Sequence, residues 1–133
     1  MSDANDSILT STKQILGLAD DYTVFDVDVI THINAALSVV NQLGVGPENG
    51  FFISDKDAKW IDIDLPPNQL SLLRTYIFLK TRFTFDPPTT SFLIDAMSNQ
   101  IKEYEWRLNI FRETDLVSSD SLENYDSIDG GTI

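Results

Sequence analysis

Few side chains in this sequence could do chemistry, and none sits in a pattern that requires it. His32 is the one histidine of 133 residues. It lies between Thr31 and Ile33 in a helical pattern with no second ligand nearby in sequence, so it reads as an ordinary helix residue rather than a metal ligand or a general base. Asp55, Asp57, Asp62 and Asp64 alternate as calcium ligands can, but they lack the central Gly and closing Glu of an EF-hand, and Trp60 and Ile61 interrupt them. They read as a solvated loop face. Gly44-x-Gly46 resembles the start of a phosphate loop, yet it follows a helical pattern instead of a strand, and Pro47 removes an N–H that such a loop needs. No serine lies in a Gly-x-Ser-x-Gly elbow. With no cysteine in the chain, thiolate chemistry, disulfides and cysteine-based zinc sites are excluded. The reading is therefore not an enzyme, with no catalytic, cofactor-binding or metal-binding residue.

The elements around these residues are mainly helical. Periodicity and capping predict helices near 7–17, 27–43, 66–85 and 90–112. Ser7 or Asp6 caps the first and Gly17 ends it; Asp26 caps the second and Gly44 ends it. Pro66-Pro67 opens the third, Asp86-Pro87-Pro88 stops it, and Thr89, Thr90 or Ser91 caps the fourth. In that fourth helix Leu93, Met97, Ile101, Tyr104, Leu108 and Phe111 form a stripe suited to a helix–helix seam. Phe51-Phe52-Ile53 and Lys59-Trp60-Ile61 read as the two short strands of a β-hairpin near 51–61. A projecting hairpin is marginal alone, so its aromatics should pack on the bundle or on a neighbouring subunit. The expected architecture is a mainly α, four-helix bundle-like domain over 1–112 with a small hairpin, followed by an extended acidic tail over 113–133.

Charge is uneven along the chain. Residues 1–64 carry eleven acids against three bases, 65–112 four against six, and 113–133 six against none, within a net charge of −12. Phosphate backbones would be repelled by most of such a surface. The acidic N-terminus is unlike a signal peptide, and the longest apolar runs fall far short of the roughly 18 residues of a membrane span, so a soluble protein without a membrane role is expected. Contact candidates are the bases Arg74, Lys80 and Arg82 on the third helix, which serve either a solvated face or acids of a neighbouring subunit. Trp106, beside Arg107, is either the edge of the core or an anchor in a subunit contact. Within 113–133, Leu116, Val117, Leu122, Tyr125 and Ile128 are spaced among the acids like anchors of a docking segment. The plainer alternative is a solubilising tail.

Three segments taken in order resemble a known family. Asn41-Gln42-Leu43-Gly44-Val45-Gly46-Pro47, then Thr75-Tyr76-Ile77-Phe78-Leu79-Lys80 running into Phe85-Asp86-Pro87-Pro88, then Glu105-Trp106-Arg107-Leu108-Asn109 are similar to the head–tail connector (adaptor, head-completion) proteins of long-tailed phages, over about 7–112. The resemblance implies a structural virion protein with no catalytic residues and no cofactor. It implies a homo-oligomeric ring of twelve copies between the portal protein and the tail-side neck or stopper protein, with DNA passing through unbound. It also implies a location at the virion neck after assembly in the host cytoplasm. A different class, an acidic regulatory or chaperone-like binding protein, would share the charge but form no ring.

Overall fold

The computed structural model describes residues 4–132, with side chains to Phe111. Its elements are α1 (Ile8–Ile15), α2 (Asp26–Gln42), a 3-10 turn (Trp60–Ile63), α3 (Pro67–Phe85) and α4 (Ser91–Thr132). α2 packs chiefly on α3, α3 on α4, and α1 lies against both α2 and α3. Ile8, Ile33, Leu37, Leu73, Ile77 and Leu108 are among the fully buried side chains of this core.

Helix ends follow local chemistry. Ser7 is extended, and its Oγ accepts a hydrogen bond from the Thr10 N–H at 3.2 Å, closing the first turn of α1. At the other end Gly17 takes φ +81°, and the N–H groups of Leu18 and Gly17 donate to the carbonyls of Lys13 and Gln14. Gly44, with φ +84°, ends α2 in the same way, as Val45 and Gly44 donate to Val40 and Asn41. Both are Schellman stops, for which a left-handed glycine is the favoured residue. Thr90 caps α4, its Oγ1 accepting from the Leu93 N–H at 3.4 Å.

Asp26 is not the cap of α2. Phe25 occupies that position without a side-chain bond, and Asp26 is the first helical residue. Its carboxylate is engaged by Lys13, whose Nζ lies 2.8 Å away. The Lys13 side chain is 3% exposed and also donates to the Asp20 carbonyl at 3.1 Å. A buried ammonium needs a counter-charge more than the helix end needs a cap. One lysine thus ties α1, the following loop and α2 together.

The hairpin near 51–61 is absent. Among the described residues there is no strand, only an isolated antiparallel bridge between Ser7 and Lys59. The backbone groups that a hairpin would pair across itself have other partners. Ile53 exchanges two hydrogen bonds of 2.9 Å with the side-chain amide of Asn34 on α2. Ile8 donates to the Ala58 carbonyl, while Trp60 and Ile61 donate to the carbonyls of Asp6 and Ala4. Trp60 is completely buried: its Nε1–H donates to Ser11 Oγ at 2.9 Å and its ring meets Phe78 edge-on at 5.5 Å. Segment 51–63 is therefore a strap bound to α1, α2 and α3. Of its aromatics Trp60 is buried and Phe51 half-buried, whereas Phe52 stays 55% exposed.

Past 112 the backbone of α4 runs on as helix to Thr132, where an extended segment was expected. No glycine or proline interrupts the chain between Ser91 and Asp129, so nothing in the backbone demands a stop there. The anchors expected at Leu116, Val117, Leu122, Tyr125 and Ile128 have side chains outside the described residues.

Candidate assembly surface

The α3–α4 pair forms an antiparallel hairpin, turned by Asp86-Pro87-Pro88. Ile101 and Leu108 are buried in its seam, with Met97, Tyr104 and Phe111 half-buried beside them. A polar link crosses the seam. The Tyr76 hydroxyl donates to Glu105 Oε2 at 2.8 Å, and Lys80 Nζ stands 4.0 Å from the same oxygen. Burial first, and then the Glu105 carboxylate, push the Tyr76 hydroxyl well above the ordinary tyrosine range. It stays a neutral donor, which is what a carboxylate acceptor requires.

Toward the C-terminal side of this link a groove of about 360 Å³ opens between the helices. Asn68, Leu72 and Thr75 line it from α3; Tyr104, Trp106, Arg107 and Phe111 line it from α4. Trp106 is 63% exposed. The Arg107 guanidinium lies 5.5 Å from the centre of the Tyr104 ring, and its Nη2 is 3.5 Å from Glu103. The groove thus offers aromatic side chains, among them an exposed indole, and a cation, the residue types that anchor protein–protein contacts.

The surface candidates read from the sequence separate here. Trp106 and Arg107 meet at the groove, and the α3 side of the seam holds Lys80 against Glu105. Arg82 is employed inside the chain: its Nη1 donates to the Ile15 carbonyl at 3.2 Å, satisfying an open group at the C-terminal end of α1. Arg74 is half-buried on α3 and has no ion-pair partner among the described residues.

Sequence reasoning missed the exposed start of α4. Phe92 is 80% exposed, and Leu93, assigned to the seam, and Ile94 are exposed beside it. The signal was present, because three consecutive apolar residues fan over about 200° of a helix and cannot all enter one seam. Val24 and Val27, at the start of α2, are exposed too.

The groups weighed for chemistry have structural roles. The ring of His32 packs edge-on to Phe85 at 6.2 Å. Asp55 accepts from the Asp57 N–H at 2.8 Å in a tight turn, and Asp62 accepts from the Lys59 N–H at 2.8 Å to close the 3-10 turn. Among the described residues no three His, Cys, Asp or Glu side chains are grouped to hold a metal ion, and no helix is long and apolar enough to cross a membrane.

The described surface of this helical bundle is marked by a groove with aromatic lining and by exposed apolar side chains. Residues 8–115 match the phage connector protein family, and the chain belongs to that family. This is a family of structural proteins, and a location in the virion fits it. No curated protein and no solved structure gives a significant match.

Proposed function

We propose that this protein is a structural subunit of the phage head–tail junction, a connector forming a homo-oligomeric ring of twelve copies between the portal and the tail-side neck or stopper protein. The observation that carries the reading is the family match over 8–115, which spans all of α1 to α3 and the first 25 residues of α4, 91–115. In this role Trp106 and Arg107 are contact residues because they line the α3–α4 groove, and Arg74 because it has no ion-pair partner among the described residues. Lys80 contributes charge at the same seam, and Arg82 does so only while releasing its hold on α1. The acidic chain lets DNA pass without specific binding, because the carboxylates repel its phosphates. The segment 113–133, with Leu116, Val117, Leu122, Tyr125 and Ile128, docks on the portal. Assembly takes place in the host cytoplasm and the product resides at the virion neck.

Cryo-electron microscopy of purified particles tests this directly. The expected result is density for the bundle at the neck in twelve copies around the portal axis. Absence from the neck, or a copy number unrelated to twelve, refutes the ring.

A further inference from the structure

The loop leaving α2 carries the one Asn-Gly pair of the chain, Asn49-Gly50. Such a pair is chemically labile, because glycine has no side chain to keep its amide nitrogen away from the preceding carboxamide. The fold sorts the eight asparagines of the sequence by the same chemistry. Asn34, Asn41, Asn68, Asn99, Asn109 and Asn124 lie in helices, whose fixed backbone dihedrals keep the next nitrogen away from the side chain. Asn5 precedes Asp6 rather than glycine. Asn49 is exposed, and its carboxamide makes no hydrogen bond among the described residues.

The geometry around Asn49 is a turn closed by the Gly50 N–H, which donates to the Pro47 carbonyl at 3.0 Å. Glu48 and Asn49 keep negative φ while Gly50 takes φ +84°, the pattern of a type I turn followed by a left-handed glycine. In that turn the Gly50 nitrogen is directed away from the Asn49 side chain. One surface hydrogen bond holds it there, and Pro47, Glu48 and Asn49 are all exposed, so the turn opens at little cost.

We propose that Asn49 is a self-modification site, at which the protein converts to an isoaspartyl form and loosens the 51–63 strap. Once the turn opens, the Gly50 nitrogen attacks Asn49 Cγ and a cyclic imide closes. Ammonia leaves, carrying the proton that the Gly50 nitrogen gave up. Water then opens the imide. Breaking the Cγ–N bond gives aspartate; breaking the backbone C–N bond gives isoaspartate, whose main chain runs through Cγ. Water is the only reactant needed, and either product adds one negative charge. The isoaspartyl chain is also longer by one carbon. Gly50 has no room to absorb it, since a Cβ built there would lie 2.8 Å from Asn41 Nδ2. Just beyond, Ile53 is held by Asn34, so the extra length strains that clamp at the entry of the strap. The proposal is independent of the ring.

The test ages the full chain at physiological temperature and pH and maps its peptides by mass spectrometry, with isoaspartate told from aspartate by electron-transfer fragmentation. Asn49 is expected to convert at least about tenfold faster than any other asparagine, with isoaspartate the main product. Asn49→Gln closes no such ring at a comparable rate, and its exposed position leaves the fold unchanged, so it serves as the unmodified reference. Trypsin cleavage after Lys59, whose N–H is bonded to Asp62 in the 3-10 turn, reads the state of the strap. It is expected to run severalfold faster in the aged protein than in Asn49→Gln aged beside it. Freshly prepared Asn49→Asp, which has the charge without the longer backbone, is expected to match Asn49→Gln. Asn49 left intact, another asparagine converting first, or a converted protein cut no faster than Asn49→Gln overturns the proposal. Fresh Asn49→Asp cut as fast as the aged protein overturns it too, by assigning the effect to charge.

Discussion

Replacing Trp60 by alanine removes the largest fully buried side chain of the protein. The loss combines transfer of the indole to water with the cavity left against Phe78 and α1, and buried Trp→Ala changes cost about 3–5 kcal/mol. With a urea dependence of about 1.5 kcal/mol per M, a loss of about 4 kcal/mol lowers the midpoint by roughly 2–3 M. Trp60→Phe keeps most of the volume and removes the Nε1–H donor, so about 1–2 kcal/mol is expected. Ser11→Ala leaves that N–H buried without its acceptor and removes a hydroxyl that itself donates to the Ser7 carbonyl at 2.6 Å, costing about 2 kcal/mol. The double change should then cost about 1 kcal/mol less than the sum of the single changes, since the Trp60–Ser11 bond can be lost only once. Urea unfolding followed by circular dichroism at 222 nm measures all four proteins without relying on tryptophan fluorescence. A Trp60→Ala cost below about 1 kcal/mol is the value expected of a side chain on a projecting hairpin. It would refute the reading of 51–63 as a strap that closes the core.

Asp26→Ala strands the Lys13 ammonium in the interior and is expected to cost about 2–4 kcal/mol, more than Lys13→Met, which leaves only a 26%-exposed carboxylate; thermal melts of the two variants give the order. Tyr76 links stability to alkaline pH. Its folded-state pKa is raised, so its contribution is complete below the unfolded value of about 10 and declines as pH rises above it. Tyr76→Phe should flatten that decline in urea midpoints measured from pH 8 to 11, and unchanged curves would contradict it. Truncation after Arg112 removes six acids and no base, and the core is expected to keep its melting temperature within a few degrees. Attachment to portal-bearing heads should weaken strongly and lose its salt dependence, whereas unchanged yields of infectious particles would leave 113–133 without a docking role.

The sequence by itself determined where the four helices start and how the first three stop, though not where the fourth ends. Ser7, Gly17, Gly44, Pro67 and Thr90 act through bonds within about six residues, and the geometry of such bonds hardly depends on the rest of the fold. It also determined the family likeness and the split of charge between the domain and residues 113–133. Tertiary structure alone decided the fate of 51–63, because strand patterns there competed with partners far away in sequence. Asn34 lies nineteen residues from Ile53, and Ser11 lies forty-nine from Trp60. An aromatic, alternating segment fits a hairpin and a buried strap equally well until those partners arrive. The same holds for Asp26, whose preference for a helix N-terminus gave way to a buried lysine thirteen residues earlier. It holds as well for the start of α4, where periodicity places Leu93 in the seam but the packing partners that would cover it are absent. Local hydrogen bonds set the elements, and the satisfaction of distant donors, charges and apolar faces set what those elements present to a partner.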